Sequence, residues 1–260
     1  MGFANSPTPL LLALHIFHDS GARQMVPGDS APILDFGSAP PRWFGQMYRV
    51  FASARRFLSQ IGILSHRRYA TRISSVDDLR EFTATRAAFV SQKTLFGYVQ
   101  TRMGMEYSKA FQEKVFAKSL NIAKMHVFAA CLSDLVIYAV AEALAGARFD
   151  DETRCAIARH CFRSAIEENM EFAPTLHWAS DAIGEFDVRL GDTIWDAGAL
   201  MPENFTRSPL ALVRWAPIAP ELKRHDTEIV ENSIKFTWLG VREDFRRRLD
   251  RDAIAGDVTR

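Results

Sequence analysis

Residues 108–145, SKAFQEKVFAKSLNIAKMHVFAACLSDLVIYAVAEALA, decide the fold. Phe111, Val115, Ile122, Met125, Ala129, Leu132 and Val136 recur at helical steps of three, four or seven, which places them on one side of an α-helix. From Val127 onward apolar side chains cover nearly every face, so this helix must be surrounded. Lipid and protein are the two candidate surroundings, and Asp134 and Glu142 choose between them. An aspartate near the centre of a bilayer costs about 2.5–3.5 kcal/mol, whereas one inside a protein can be hydrogen-bonded. The sequence therefore predicts a central core helix buried by other helices.

Proline organises the chain on either side of that helix, because it removes a backbone donor and clashes inside helices. Pro7, Pro9, Pro27, Pro32, Pro40 and Pro41 crowd the start, and the next proline is Pro174. A first amphipathic helix is expected over 42–65, with Met47, Phe51, Ala54, Leu58 and Ile61 on one stripe. A second begins at Ser75, a capping residue followed by Asp77 and Asp78, and carries Phe82, Phe89, Phe96 and Met103 every seven residues up to Gly104. A fourth starts at Asp150, Asp151 and Glu152 and is expected to reach Phe172, with a shorter helix to follow. Pro202, Pro209, Pro217 and Pro220 read as an extended passage over the surface. A last helix over 221–252 presents Val230, Ile234, Trp238, Val241 and Phe245 on one stripe. No segment alternates as a strand with hairpin turns.

The expected architecture is all-α: a single-domain, irregular multi-helix bundle around the central apolar helix at about 108–145. Residues 1–41 are expected as a poorly ordered Pro-rich extension, 42–252 as the helical domain and 253–260 as a C-terminal tail. Hydrophobic residues make up 48% of the chain and charged residues 24%, enough apolar material for a core and too much for a disordered chain. Cys131, Cys155 and Cys161 are odd in number and sit in helical patterns, which suits buried thiols in a reducing compartment. The apolar run at 10–17 is short and has no basic residue before it, so we expect a cytoplasmic protein, with possible attachment to the inner face of the membrane.

Charge is polarised along the chain. Residues 42–124 hold 15 Lys and Arg against 5 Asp and Glu, and residues 125–206 hold 5 against 14. Residues 42–72 contain no acid at all. Basic faces over apolar stripes bind anionic membrane surfaces or acidic proteins, which makes Arg49, Arg55, Arg56, Arg67 and Arg68 the candidate binding residues. The acidic half of the chain is a competing, intramolecular partner for them.

Signatures of catalysis are sparse. No Gly-x-Ser-x-Gly elbow occurs, and Gly28-Asp29-Ser30 lies in the Pro-rich extension without a base to serve it. Glycine-rich phosphate loops are absent, so no nucleotide is expected. Asp77, Asp78 and Glu81 resemble a magnesium-binding acidic motif, but their place after Ser75 is explained by the helix dipole. His177, Asp181, Glu185 and Arg189 at steps of four read as a surface salt-bridge ladder, and no metal or cofactor is expected. An alternative reading is an esterase-like hydrolase built on the polar groups of the core, His126, Asp134 and Tyr138, with His160 on the following helix. The bland reading of Asp134 is a hydrogen-bonded aspartate that fixes helix register.

Residues 89–140, with Gly97-Tyr98, Arg102-Met103-Gly104 and the run from Ile122 to Phe128, together with Arg214-Trp215-Ala216-Pro217-Ile218-Ala219-Pro220, carry a resemblance. This pattern resembles an uncharacterised family of helical bacterial proteins, some of which are labelled esterases. The resemblance covers about residues 45–250 and implies a helical fold, but it brings no catalytic motif.

Overall fold

A computed structural model describes residues 71–104, 107–110 and 112–259. The expected extension 1–41, the expected helix at 42–65 and the candidate binding residues Arg49, Arg55, Arg56, Arg67 and Arg68 lie outside the described residues. The described chain is an all-α bundle whose centre is the apolar helix anticipated from the sequence. Its helices are α1 (Val76–Met103), α2 (Tyr107–Ala110), α3 (Lys114–Ala143), α4 (Asp151–Glu167), α5 (Trp178–Gly191), α6 (Arg207–Trp215), α7 (Pro220–Lys223), α8 (Thr227–Arg248) and α9 (Arg251–Val258). Among the described residues there is no sheet, only one isolated parallel bridge between Ile73 and Leu249.

Helix α3 is the axle. Against it lie α1, α4 and α6, and α8 closes the bundle against α1 and α6. Among the described residues, α3 is the one helix long and apolar enough to cross a bilayer. Its most apolar window has a mean hydropathy of 1.5, and 83% of that window is buried inside the protein. The stripe Leu132, Leu135, Val136 and Val140 is sealed, along with Phe128 and Tyr138. Burying such side chains stabilises by about 1.5–3 kcal/mol each before entropy is counted.

Local chemistry sets the ends of α1 as the sequence implies. The Ser75 hydroxyl accepts from the Asp78 amide at 3.1 Å, while the Asp78 carboxylate accepts from the Ser74 amide and hydroxyl at 3.0 Å each. This reciprocal arrangement satisfies amides that the first turn leaves without partners. At the other end Gly104 takes φ +55°, a conformation that side chains disfavour, and its amide returns to the Gln100 carbonyl. Phe82 is buried, and Phe89, Phe96 and Met103 pack against the core as partly buried neighbours.

Several expectations need correction. The central helix does not run unbroken from residue 108: Gln112 and Glu113 close a turn onto the Lys109 and Ala110 carbonyls, and α3 starts at Lys114. Val115 is 79% exposed, so it does not take the buried place that the expected stripe gave it. Helix α4 ends at Glu167, where the Asn169 side chain donates to the Ala165 carbonyl at 2.8 Å, and a 3-10 turn, Met170–Phe172, follows.

The passage between Pro202 and Pro220 is not extended either, since α6 forms within it. Pro209 falls in its first turn, where a missing amide costs no hydrogen bond. The Lys223 ammonium then gathers the carbonyls of Val213, Arg214 and Ala216 at 2.9–3.2 Å where α6 ends.

The expected last helix is three pieces, α7, α8 and α9, and the expected tail at 253–260 contains most of α9, with Ile254 in the core. The helical domain thus continues through Val258. A backbone clasp explains the break after Arg248. The Ile73 amide donates to the Arg248 carbonyl and the Asp250 amide donates to the Ile73 carbonyl, each at 2.9 Å. The entry to α1 is thereby pinned to the corner between α8 and α9, and Asp257 accepts from the Val76 amide at 2.9 Å.

Replacing Ser75 by Ala removes one cap and is expected to cost about 1 kcal/mol. Leu132→Ala opens a cavity in the sealed centre and is expected to cost about 2–5 kcal/mol. Urea denaturation followed by circular dichroism checks both the magnitudes and their order.

Candidate functional site

The polar groups of the core helix assemble into a set of buried ionic contacts. Asp134 is fully buried on α3, and a carboxylate in that position must be compensated. Arg189, on α5, donates to Asp134 Oδ1 at 2.7 Å and to Ser133 Oγ at 2.8 Å, and its other terminal nitrogen reaches the Asn204 carbonyl at 2.9 Å. The remaining contacts to the carboxylate come from the start of α6. The Ser208 amide donates to Oδ2 at 2.8 Å and the Arg207 amide to Oδ1 at 3.3 Å.

The usual cap position of α6, Thr206, makes no side-chain capping bond, so Asp134 supplies from α3 the oxygen that a local cap would give. Ser208 Oγ accepts from Trp238 Nε1 of α8 at 3.0 Å. One aspartate therefore joins α3, α5, α6 and, through Ser208, α8. Burial pushes its carboxyl above the usual range, and Arg189 and the Ser208 bonds offset part of that rise.

Tyr138, one turn later on α3, belongs to a second cluster. Its hydroxyl donates to Glu142 Oε2 at 3.1 Å and accepts from Arg246 Nε at 3.0 Å. Glu142 also pairs with Arg251, whose Nε donates to the Glu142 carbonyl at 2.9 Å and so serves the C-terminal end of α3. Burial raises the Tyr138 pKa, and the Arg246 hydrogen bond pulls the other way. A third contact joins α1 to the start of α8: Asp226 is buried, accepts from Tyr98 Oη at 2.7 Å and pairs with Arg102. Asp244 pairs with Arg86 at 2.7 Å and with Arg247 at 2.8 Å.

The histidines lie elsewhere. His160 is exposed on α4. His126 is half-buried on α3, stacked on Trp215 with ring centroids 3.5 Å apart and planes within 1°. Burial lowers its pKa below the ordinary 6.5, Arg214 adds to the lowering and Asp181 opposes it. Among the described residues, no hydrogen bond joins His126 or His160 to Asp134 or Tyr138. The structure brings together Asp134 with Arg189, and Tyr138 with Glu142 and Arg246.

The surface ladder expected along α5 gives way to an inward contact at Arg189, whose guanidinium pairs with the buried Asp134 carboxylate. Asp77 pairs with Arg80, and Asp78 is spent on capping. Among the described residues, no three His, Cys, Asp or Glu side chains are grouped to hold a metal ion. The three cysteines are free thiols, Cys131 and Cys161 buried, and burial pushes Cys161 up to about 12.

Sequence reasoning found Asp134, Glu142 and Tyr138 as polar groups in an apolar helix, but missed their partners. Arg102, Arg189, Arg246 and Arg251 lie 55 to 124 positions from the acids they serve, so no local spacing announces them. The one available signal is arithmetic: a core helix with two acids requires distant cations. Comparisons with protein-family models, with curated proteins and with solved structures returned no match.

Asp134→Ala leaves Arg189 without its counter-ion and the α6 amides without a cap, and is expected to lower stability by about 3–5 kcal/mol in urea denaturation. Asp134→Asn keeps an acceptor for the amides and should cost less. His126 gives a pH signature: its folded pKa is below 6.5, so the unfolded chain binds more protons as pH falls below 6.5. Its contribution to stability is present above that value and is lost as pH falls to the lowered folded pKa. His126→Phe keeps a ring on Trp215 and should flatten this slope in melting curves taken across that window.

Proposed function

We propose that this chain is a helical binding and assembly protein that docks on an anionic surface through Arg49, Arg55, Arg56, Arg67 and Arg68, with phospholipid headgroups as the first candidate and an acidic protein as the second. The observation that carries the reading is the point where the basic segment joins the bundle. Arg72, its last arginine, pairs with Asp250 at 2.9 Å, and the Thr71 carbonyl accepts from Arg248 at 2.9 Å. Arg246, Arg247 and Arg248 end α8 at this corner, and Arg251 opens α9. The side chains of Arg72, Arg246, Arg247 and Arg251 remain well exposed beside their acidic partners. Exposed arginines at the point where the segment enters the bundle favour an anionic ligand over a purely local role.

The state of the core supports a binding role as well. Asp134, Glu142, Asp226 and Asp244 each spend their charge on arginines that hold helices together. General acid-base chemistry needs a group free to exchange a proton with a substrate. None of these four carboxylates is in that position.

Flotation of the full chain with vesicles containing phosphatidylserine tests the reading. Binding should fall as salt rises, since surface attraction is screened within about 8–10 Å at physiological ionic strength. Replacing Arg55, Arg56, Arg67 and Arg68 together by Gln should abolish flotation. Binding that is indifferent both to salt and to these replacements would reject the membrane form of the proposal.

A further inference from the structure

Helix α8 has two stripes. Val230, Ile234, Trp238, Val241 and Phe245 fill the core, as the sequence implies. The opposite side repeats Ile229, Asn232, Phe236, Leu239, Glu243 and Arg246 at alternating steps of three and four, the spacing of a coiled-coil seam. Phe236 is 78% and Leu239 47% exposed, and Asn232, Glu243 and Arg246 are exposed around them. Scattered surface apolar residues need no explanation, but here a phenylalanine and a leucine stand together on a heptad-spaced face flanked by charge.

Charge along this seam selects the partner. Glu228 stands at the N-terminal end and has no ion-pair partner among the described residues, while Arg246 and Arg247 stand at the C-terminal end. A second α8 laid parallel would set arginine against arginine and Glu228 against Glu228. Laid antiparallel, it sets Phe236 against Leu239 of the other copy, Asn232 against Glu243, and Glu228 against Arg247. The central layer is then apolar on apolar, Asn232 and Glu243 are donor on acceptor, Glu228 and Arg247 are acid on base, Ile229 falls against the aliphatic stem of Arg246, and the helix dipoles oppose.

We propose that the outward seam of α8 is a self-association surface, and that two copies of this chain pair through antiparallel α8 helices. The proposal stands apart from the anionic-surface reading, because it uses neither the basic segment nor a lipid.

Sedimentation velocity of the full chain over the micromolar range is the test, with melting curves to confirm that each variant is folded. The wild-type chain should form a dimer, and Phe236→Glu should raise its dissociation constant about tenfold or more, the range expected when a central aromatic anchor is lost. Glu228→Lys and Arg247→Glu should each weaken the dimer, and the two changes combined in one chain should restore it. Loss of the local Arg247–Asp244 contact would not be rescued by a change at Glu228, so the rescue is specific to pairing between copies. If Phe236→Glu fails to fold, this charge exchange alone decides. A monomer at every concentration overturns the proposal and leaves the seam to another partner or to the chain's own N-terminal segment. A dimer indifferent to Phe236→Glu, or a charge exchange without rescue, also overturns it.

Discussion

A carboxylate sealed inside an apolar helix forces its surroundings to come to it, and Asp134 is where this bundle meets that requirement. Its charge cannot stay unpaired in a medium that solvates ions so poorly. Arg189 reaches it from α5, and the first amides of α6 reach it from the other side. The short helix α6 consequently begins at a place fixed by a residue more than 70 positions earlier in the chain. Ser208 then passes the constraint to Trp238, so the position of α8 depends on the same carboxylate.

Repetition of this device gives the bundle its specificity. Apolar packing around α3 supplies most of the stabilisation, but Leu, Val and Ala surfaces slide with little penalty. Glu142 with Arg251, Asp226 with Arg102 and Asp244 with Arg86 each join helices distant in sequence at one register. Buried pairs add little net stability, so their contribution here is to select one arrangement among many of similar apolar burial. Asp134 and Tyr138, polar groups of the central helix, take part in these contacts between helices. Two surface features accompany these contacts, the arginine-rich corner of α8 and α9 and the outward seam of α8.

The corner and the seam are related through the clasp at Ile73. That short parallel bridge, with Arg248 and Asp250 on either side of Leu249, ends α8 and directs α9 back onto the body. It also fixes where the basic segment of the chain meets the bundle, beside Arg246, Arg247 and Arg248. Arg246 lies on the seam side of α8, whereas Arg248 turns inward over the Phe82 ring.

The amino-acid sequence by itself determined most of the helical segments among the described residues and which helix is central. The Ser75 and Asp150 caps, Gly104 and the apolar run after Val127 act through neighbours a few residues away, and period and composition record them directly. Tertiary structure alone decided that 207–215 is a helix, that the chain breaks after Arg248, and that Arg189 turns inward. In each case the energy comes from a group remote in sequence: the Asp134 carboxylate for α6 and Arg189, the Ile73 backbone for the break. Local pattern carries no trace of a partner that only folding brings near, so these features became legible once the helices were packed.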